Sequence, residues 1–196
     1  MATKHEMTLL EASCKGKGVN IGCGPRPFEN AINIDISTNS KADVFADAAY
    51  LPLPSNHFDF LVSAHCLEHI DKGPLLVLIE WLRILKIGGQ MAILVPNGEE
   101  GIISMRGDVG TFQKGHHVHV FTCQTLQTLL DYAGGCDTTT KIIQRPEWTT
   151  TTILARTRKR FVNKELQPKS LRSRLMWMKS VKKTVTPIGL LKWLRR

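Results

Sequence analysis

Five short apolar runs, separated by turns and helical patterns, constrain the fold of this chain most strongly. They are almost continuously apolar, as strands covered on both faces of a parallel sheet must be. The runs are VNIG (19–22), AINIDI (31–36), ADVFA (42–46), FDFLVS (58–63) and MAILVP (91–96). Between the last two, apolar residues recur at helical spacing: Leu75, Leu78, Ile79, Leu82 and Leu85. The Gly88-Gly89 pair is predicted to end that helix, giving a right-handed strand–helix–strand unit.

A second helix is predicted from Thr122 to Ala133, with Thr122 as its N-cap and Gly134-Gly135 ending it. The runs TTTKII (138–143) and TTTTILA (149–155) are rich in β-branched residues, so we expect them to add an antiparallel edge to the sheet. With 196 residues, the chain fits one core and an appendage better than two full domains.

Charge divides the chain into two parts. Residues 156–196 hold fourteen Lys or Arg and one acid, Glu165, for a net charge of +13, whereas residues 1–155 carry −4. We therefore predict a globular domain of residues 1–157 and a basic amphipathic extension of residues 158–196.

The extension has the composition of an interfacial helix. Between residues 169 and 186, one helical stripe holds Leu171, Leu175, Met178, Val181 and Val185. Basic side chains flank it, and Trp177 and Trp193 add interfacial anchors, so residues 169–196 are expected to bind an anionic membrane surface. Docking on the acidic body and a grip on nucleic acid, the less favoured partner, are the alternatives.

Five scattered cysteines without a C-x-x-C pair indicate neither a disulfide framework nor a cysteine zinc site. The first 18 residues lack the apolar core of a secretory signal, and no run reaches the ~18 apolar residues of a spanning helix. We expect a cytoplasmic protein whose extension offers peripheral attachment to the inner face of a membrane.

Ligands of open α/β sheets bind beyond the carboxyl ends of the strands, and three predicted ends carry informative residues. The first run leads into Gly22-Cys23-Gly24, where missing side chains let backbone amides approach a ligand. The second ends at Asp35, placed to accept both hydroxyls of a ribose, and the third at Asp47-Ala48, placed to read an adenine. Each is also typical of an ordinary turn. Because all three occur in succession along one sheet, we favour a ligand-binding site over three ordinary turns.

The segments VNIGCG, INIDI, ADVFADAAYLPLPSNHFDFLVSAHCLEHI and EWLRILKIGGQMAILVPN resemble the type 11 branch of class I S-adenosylmethionine (SAM)-dependent methyltransferases. H-x-H-x-F-T (117–122) and QTLLDYAGG resemble its later segment. The resemblance implies a three-layer, Rossmann-like α/β fold with a mostly parallel seven-stranded sheet of order 3-2-1-4-5-7-6, and SAM as cofactor. By position, it implies these cofactor-binding residues: Gly22, Cys23, Gly24, Asp35, Ile36, Asp47, Ala48 and His65.

The chain departs from the family at two places. Asn20 stands where an acid usually precedes the first glycine by two residues. Only ten residues separate Gly24 from Asp35, so the first crossover helix is predicted to shrink to about a turn.

Histidines supply the candidates for catalysis, since methyl transfer to a hydroxyl needs a base that works near neutral pH. His117 follows a glycine-rich loop and matches the family's histidine in this segment, so it is predicted to line the acceptor site, with His69 as a second catalytic candidate. His65, Glu68 and His69 also match the H-x-x-E-H pattern of inverzincin peptidases. Their position at a strand exit favours no metal, and Glu68 and His69 shaping the turn is the plainer interpretation.

Reaction type follows from what stands after the fourth run. Ser63-Ala64-His65-Cys66 replaces the N-P-P-Y-like segment of amino-methylating enzymes, and Cys66 lacks the neighbouring proline of cytosine-C5 nucleophiles. We therefore predict O-methylation of a small-molecule or glycan acceptor, of the sugar, glycolipid or polysaccharide type. An RNA methyltransferase or RNA-binding module, and a catalytically silent SAM-fold scaffold, are the alternatives.

Overall fold

The computed structural model describes residues 2–99, 117–145 and 150–160, which form one seven-stranded sheet. Its strands are β1 (Gly18–Ile21), β2 (Ala31–Asp35), β3 (Val44–Phe45), β4 (Phe58–Ala64), β5 (Leu85–Pro96), β6 (Gly135–Gln144) and β7 (Thr151–Lys159). Their order is β3-β2-β1-β4-β5-β7-β6. The first five strands pair in parallel, and β7 runs antiparallel to β5 and to β6. The predicted strand order and antiparallel edge are confirmed.

Three α-helices with bounds in the described residues cover the two faces: α1 (Lys4–Glu11), α2 (Pro74–Ile84) and α3 (Cys123–Ala133). Helices α2 and α3 pack together over the face that carries Val19, Ile21 and Leu61. Helix α1 lies on the opposite face, where Leu10 packs with Phe60. Because side chains alternate along a strand, neighbouring residues of one strand supply two cores. The predicted three-layer α/β fold is confirmed.

Helix α3 begins and ends where the sequence predicts. The Thr122 hydroxyl accepts a hydrogen bond from the Thr125 amide (3.1 Å), and the Thr125 hydroxyl accepts one from the Thr122 amide (2.9 Å). At the other end Gly134 adopts φ 108°, a left-handed conformation that glycine reaches without strain.

Helix α2 ends earlier than predicted. Leu85 belongs to β5, where it pairs with Phe58, so the Gly88-Gly89 pair does not end the helix. The carbonyl of Ile84 accepts a hydrogen bond from the His57 amide (2.8 Å), and that of Arg83 accepts one from Lys159 Nζ (3.3 Å). Tertiary donors therefore satisfy the last carbonyls of the helix in place of a glycine cap.

The first crossover is even shorter than predicted, because residues 22–30 form turns without a helix. Helix α1, which the sequence interpretation missed, lies on the same face as Phe28 of this crossover and joins its core. Its start is a capping box: the Thr3 hydroxyl accepts from the Glu6 amide (3.2 Å), and Glu6 Oε2 accepts from the Thr3 amide (2.6 Å).

The last strand ends at Lys159, so the boundary proposed after residue 157 stays a prediction. The basic helix predicted within residues 169–186 lies outside the described residues. Among the helices that are described, none is long and apolar enough to cross a membrane.

Candidate functional site

The carboxyl ends of β1 to β4 surround a cavity of about 490 Å³. Seven of the ten predicted site residues line it: Gly22, Asp35, Ile36, Asp47, Ala48, His65 and His69. Cys23 and Gly24 line an adjoining cavity of about 240 Å³, and Gly22 and His65 line both. His117 stands beside His69, with 4.7 Å between their ring centroids. The fold thus collects all the predicted site residues at one edge of the sheet.

The glycine loop is held by its own amides. The amides of Gly22 and Cys23 donate to the Ile34 carbonyl (2.8 and 3.2 Å). That of Gly24 donates to Asp35 Oδ2 (2.8 Å). What the loop offers to a ligand is bare backbone at Gly24, where φ is 53° and an added Cβ would meet nothing within 4 Å. Glycine is required at residue 22 for packing within the protein, since a Cβ there would lie 2.6 Å from the Sγ of Cys66.

Two carboxylates face the large cavity from neighbouring strand ends. Asp35 Oδ1 accepts from the Ser37 amide (2.8 Å), and Asp47 Oδ1 accepts from the Ala49 amide (2.8 Å). These bonds orient the carboxylates and leave each oxygen a further lone pair for a ligand. Ile36, which is 70% exposed, adds an apolar surface to the same cavity.

Helix α2 holds the loop after β3 through side chains that the sequence interpretation did not single out. Trp81 Nε1 donates to the Ala48 carbonyl (2.9 Å). Glu80 accepts from the Leu51 amide (2.9 Å) and pairs with Arg83 (Glu80 Oε2 to Arg83 Nε, 2.9 Å). The i, i+3 spacing of an acid and a base on a helix was the available signal. Trp81 therefore holds Ala48, and the buried Glu80–Arg83 pair holds Leu51 of the same loop.

Asn20, the departure from the family pattern, is buried and joins β1 to β2. Its Nδ2 donates to Asn33 Oδ1 (3.0 Å), directly across the strand pair. Asn33 in turn bonds both backbone groups of Phe28, at 2.8 and 3.0 Å. A neutral amide at residue 20 therefore anchors the short crossover.

His65 follows β4 in a left-handed conformation (φ 52°) between two buried carboxylates. Its Nε2 lies 3.2 Å from Glu6 Oε1, and its Nδ1 lies 3.4 Å from Glu68 Oε1. Arg145 Nε is 3.3 Å from the same Glu6 oxygen. Burial acts to lower the pKa of His65, but its contacts with Glu6 and Glu68 outweigh it, so the pKa is raised and favours the imidazolium.

Glu6 is the counterpart of that imidazolium. Burial acts to raise the pKa of its carboxyl, whereas hydrogen bonds from His65 and the Thr3 amide, with the charges of His65 and Arg145, hold it at about 2. The N-terminal helix is thus tied to the strand end that lines both cavities. The contact between Glu6 and His65 joins residues far apart in the sequence, so no local sequence pattern predicts it.

The turn of residues 67–69 holds residues 117–119 in place. The Glu68 carbonyl accepts from the amides of Val118 (2.8 Å) and His119 (3.1 Å), which seats His117 against His69. His119 Nε2 lies 3.0 Å from the Ile70 carbonyl and so braces the cavity wall. Burial lowers the pKa of His117 below 6.5, although Glu68 acts to raise it.

Two cysteines near the site are poor nucleophiles. Burial, with the negative charge of neighbouring carboxylates, raises the pKa of Cys23 and of Cys66 to about 12. Both thiols are therefore protonated at neutral pH, which agrees with the prediction that Cys66 does not act as a nucleophile.

A mixed seven-stranded sheet of this order, with one cavity at the ends of its first strands, is the fold of class I SAM-dependent methyltransferases. Residues 10–93 match the family model described as a methyltransferase domain. This match and the shared fold indicate a SAM-dependent methyltransferase domain, an enzyme whose cofactor is SAM. No curated protein matches it.

Solved structures share the fold. A SAM-dependent methyltransferase from Archaeoglobus fulgidus has a TM-score of 0.64 and 18% identity over 80% of this chain and 92% of that one. A Thermotoga maritima enzyme, described as a possible histamine N-methyltransferase, has a TM-score of 0.60 and 24% identity over 75% and 83%. Phosphoethanolamine N-methyltransferase 2 from Haemonchus contortus, solved with S-adenosylhomocysteine, has a TM-score of 0.59 and 12% identity over 79% of this chain and 52% of its own, about half its length.

The strand-end residues fit SAM. A volume of about 490 Å³ is within the usual range for a small-molecule site. Two oriented carboxylates suit hydroxyl and amino donors, Ile36 suits a planar ring, and the open backbone at Gly24 leaves room for the amino-acid end.

The ion pair of Glu6 and His65 predicts a pH dependence that Glu6→Gln tests, because glutamine keeps the capping box and removes the charge. A pKa lowered from 4.5 to about 2 stabilises the fold above pH 4.5, and that stabilisation is lost as the pH falls towards 2. We expect urea unfolding to show a smaller loss of stability over this range for Glu6→Gln than for the wild type. The exposed control Glu29→Gln should behave as the wild type does.

His65 has the opposite sign: its raised pKa stabilises the fold below pH 6.5, and this is lost as the pH rises through the folded-state pKa. Histidine NMR titration should place the pKa of His65 above 6.5 in the wild type and lower in Glu6→Gln. An unchanged His65 pKa in that variant would contradict the pairing.

Proposed function

We propose that the chain transfers the methyl group of SAM to a hydroxyl oxygen of a small acceptor, of the sugar, glycolipid or polysaccharide type. The observation that carries the proposal is the pair of imidazoles at the cavity rim. His117 has a pKa lowered below 6.5 and packs edge-on against His69, which lines the cavity. A neutral imidazole in this place suits a base for a hydroxyl acceptor at neutral pH.

The proposed cofactor placement follows the strand ends. Asp35 accepts from the ribose hydroxyls, and Ile36 covers one face of the adenine. Asp47 accepts from the adenine amino group while the backbone of Ala48 faces a ring nitrogen. Gly22, Cys23 and Gly24 lie along the methionine part, with His65 beside it. Support comes from the cavities that these residues line and from the α2 contacts that hold Ala48.

SAM supplies a methyl group on a positively charged sulfur: as the acceptor oxygen bonds to the methyl carbon, the carbon–sulfur bond breaks and its electron pair returns to sulfur. His117 accepts the proton that the acceptor hydroxyl loses, on a ring nitrogen. His69 packs against the His117 ring and completes the wall that faces the acceptor. Partial burial of His117 favours its neutral form in the resting enzyme, since burial disfavours the charged imidazolium.

Asp35→Ala should weaken SAM binding by about 100-fold or more, because it removes charge-assisted bonds to the ribose and the partner of the Gly24 amide. Calorimetric titration with SAM measures the loss, and far-UV circular dichroism checks that the variant is folded. The matched control is Glu29→Ala, an exposed acid of the neighbouring crossover. Wild-type affinity in folded Asp35→Ala would remove the ribose assignment.

His117→Ala should lower kcat by about 100-fold while the Kd for SAM stays near that of the wild type. In the wild type, kcat should rise with pH through the lowered pKa of His117, below 6.5, and this step should disappear in the variant. The assay measures methyl transfer to a panel of polyhydroxylated acceptors, with exposed His5→Ala as control. If only SAM affinity falls, His117 belongs to the cofactor pocket instead.

The proposed attachment of residues 169–196 to an anionic membrane is supported by sequence alone, through basic residues worth about 1 kcal/mol each near the lipid surface and through two tryptophans. Replacing Trp177 and Trp193 with serine keeps every charge and removes the apolar anchors. The fraction of protein that sediments with anionic vesicles should therefore fall sharply, while RNA binding barely changes. The reverse pattern, with Lys179, Lys182 and Lys183 dominating a steep salt dependence, would favour the RNA alternative.

A further inference from the structure

We propose that Glu68, His69 and His117 together hold one divalent transition-metal ion at the acceptor side of the cavity. One potential ligand atom of each residue lies within 4.8 Å of the other two. A zinc-sized ion bound at about 2.0–2.1 Å places tetrahedral ligands about 3.3 Å apart, so closure needs shifts of the order of 1 Å. The His69 side chain is 41% exposed and has room to make that shift.

The Glu68 carboxylate is the strongest argument for an ion. Its side chain is 1% exposed, and within the described part of the chain neither oxygen accepts a hydrogen bond. Among residues 2–99, 117–145 and 150–160, the ion-pair contacts of Oε1 are with His65 Nδ1 at 3.4 Å and His69 Nε2 at 3.8 Å. His65 also pairs with Glu6 through its other nitrogen. A buried carboxylate that accepts no hydrogen bond and shares its one close imidazolium with Glu6 is costly, and a bound cation would offset that cost.

The backbone brings the three residues together before any ion binds. Glu68 and His69 come from one turn, and the Glu68 carbonyl bonds the two amides that directly follow His117. His117 therefore cannot move far from the turn without losing both bonds.

The donor set selects the class of ion. Two imidazole nitrogens and one carboxylate oxygen suit Zn²⁺, Co²⁺ or Fe²⁺, whereas Mg²⁺ and Ca²⁺ prefer oxygen donors alone. Three protein ligands leave positions for a further ligand, and His69 lines the cavity. An acceptor hydroxyl bound there would have its pKa lowered and lose its proton to solvent. This step rests on the proposed hydroxyl acceptor and, when metal is bound, takes the place of proton transfer to His117.

Co²⁺ titration of the metal-free full chain, followed by its visible d–d absorption and by calorimetry, tests the site without an acceptor. We expect one equivalent to bind to the wild type and to His5→Ala. Glu68→Gln and His117→Ala should each raise the Kd by about 100-fold or more. Thermal unfolding checks that both variants fold. If the buried Glu68→Gln variant fails to fold, His117→Ala, at a half-buried position, still tests the site. No binding, or equal affinity in wild type and variants, overturns the proposal.

A second measurement separates this proposal from the proposed function. If the chelator-treated enzyme methylates a hydroxyl acceptor at its full rate, the metal plays no part and the metal proposal is overturned, while His117 stays the base. If Co²⁺ binds through the three residues and no hydroxyl acceptor is methylated, the metal site is supported and the acceptor proposal fails.

Discussion

Strand β1 is the constraint on which the rest of the structure depends. All of its four residues are buried, so it must have a parallel neighbour on each side and a covered face above and below. The chain meets this demand by running outward through β2 and β3 and then crossing to β4. The reversal at β1 opens a crevice between diverging loops, which is where ligands bind in open α/β sheets. The position of the cavity therefore follows from the burial of four residues.

The lack of a first crossover helix accounts for much of what is particular to this chain. A short loop over residues 22–30 cannot cover one face of the sheet by itself, and Asn20 and Asn33 hold it close to the strands. Helix α1 covers that face with Leu10 and carries Glu6 to His65. The segment that completes the core thus also supplies a charge to the site. In a fold with a full crossover helix, that helix could cover the sheet face and a different segment could supply the charge.

The sequence predicts those features that leave a local pattern. Buried parallel strands are almost continuously apolar, so the strands could be inferred from the sequence pattern, and the Thr122 cap and Gly134 are local signals for α3. The strand order was implied by the family resemblance and not by the pattern. The predicted end of α2 was wrong because the last carbonyls of the helix accept hydrogen bonds from His57 and Lys159, which are distant in the sequence. Helix α1 has eight residues and little apolar surface, although its capping box was readable. Contacts such as Glu6 with His65 depend on the assembled fold.

One imidazole, that of His65, lies between two buried carboxylates, and this arrangement connects the two ends of the site. His65 lines both cavities, with Nε2 towards Glu6 of the N-terminal helix and Nδ1 towards Glu68 of the turn that seats His69 and His117. Buried ion pairs contribute little net stability compared with apolar packing, so a turn that needed only shape would not require them. One imidazolium shared by two carboxylates also couples their charges, because a change at either carboxylate alters the pKa of His65 and hence the field at the other. The N-terminal helix and the turn that seats the histidine pair are therefore electrostatically linked through His65.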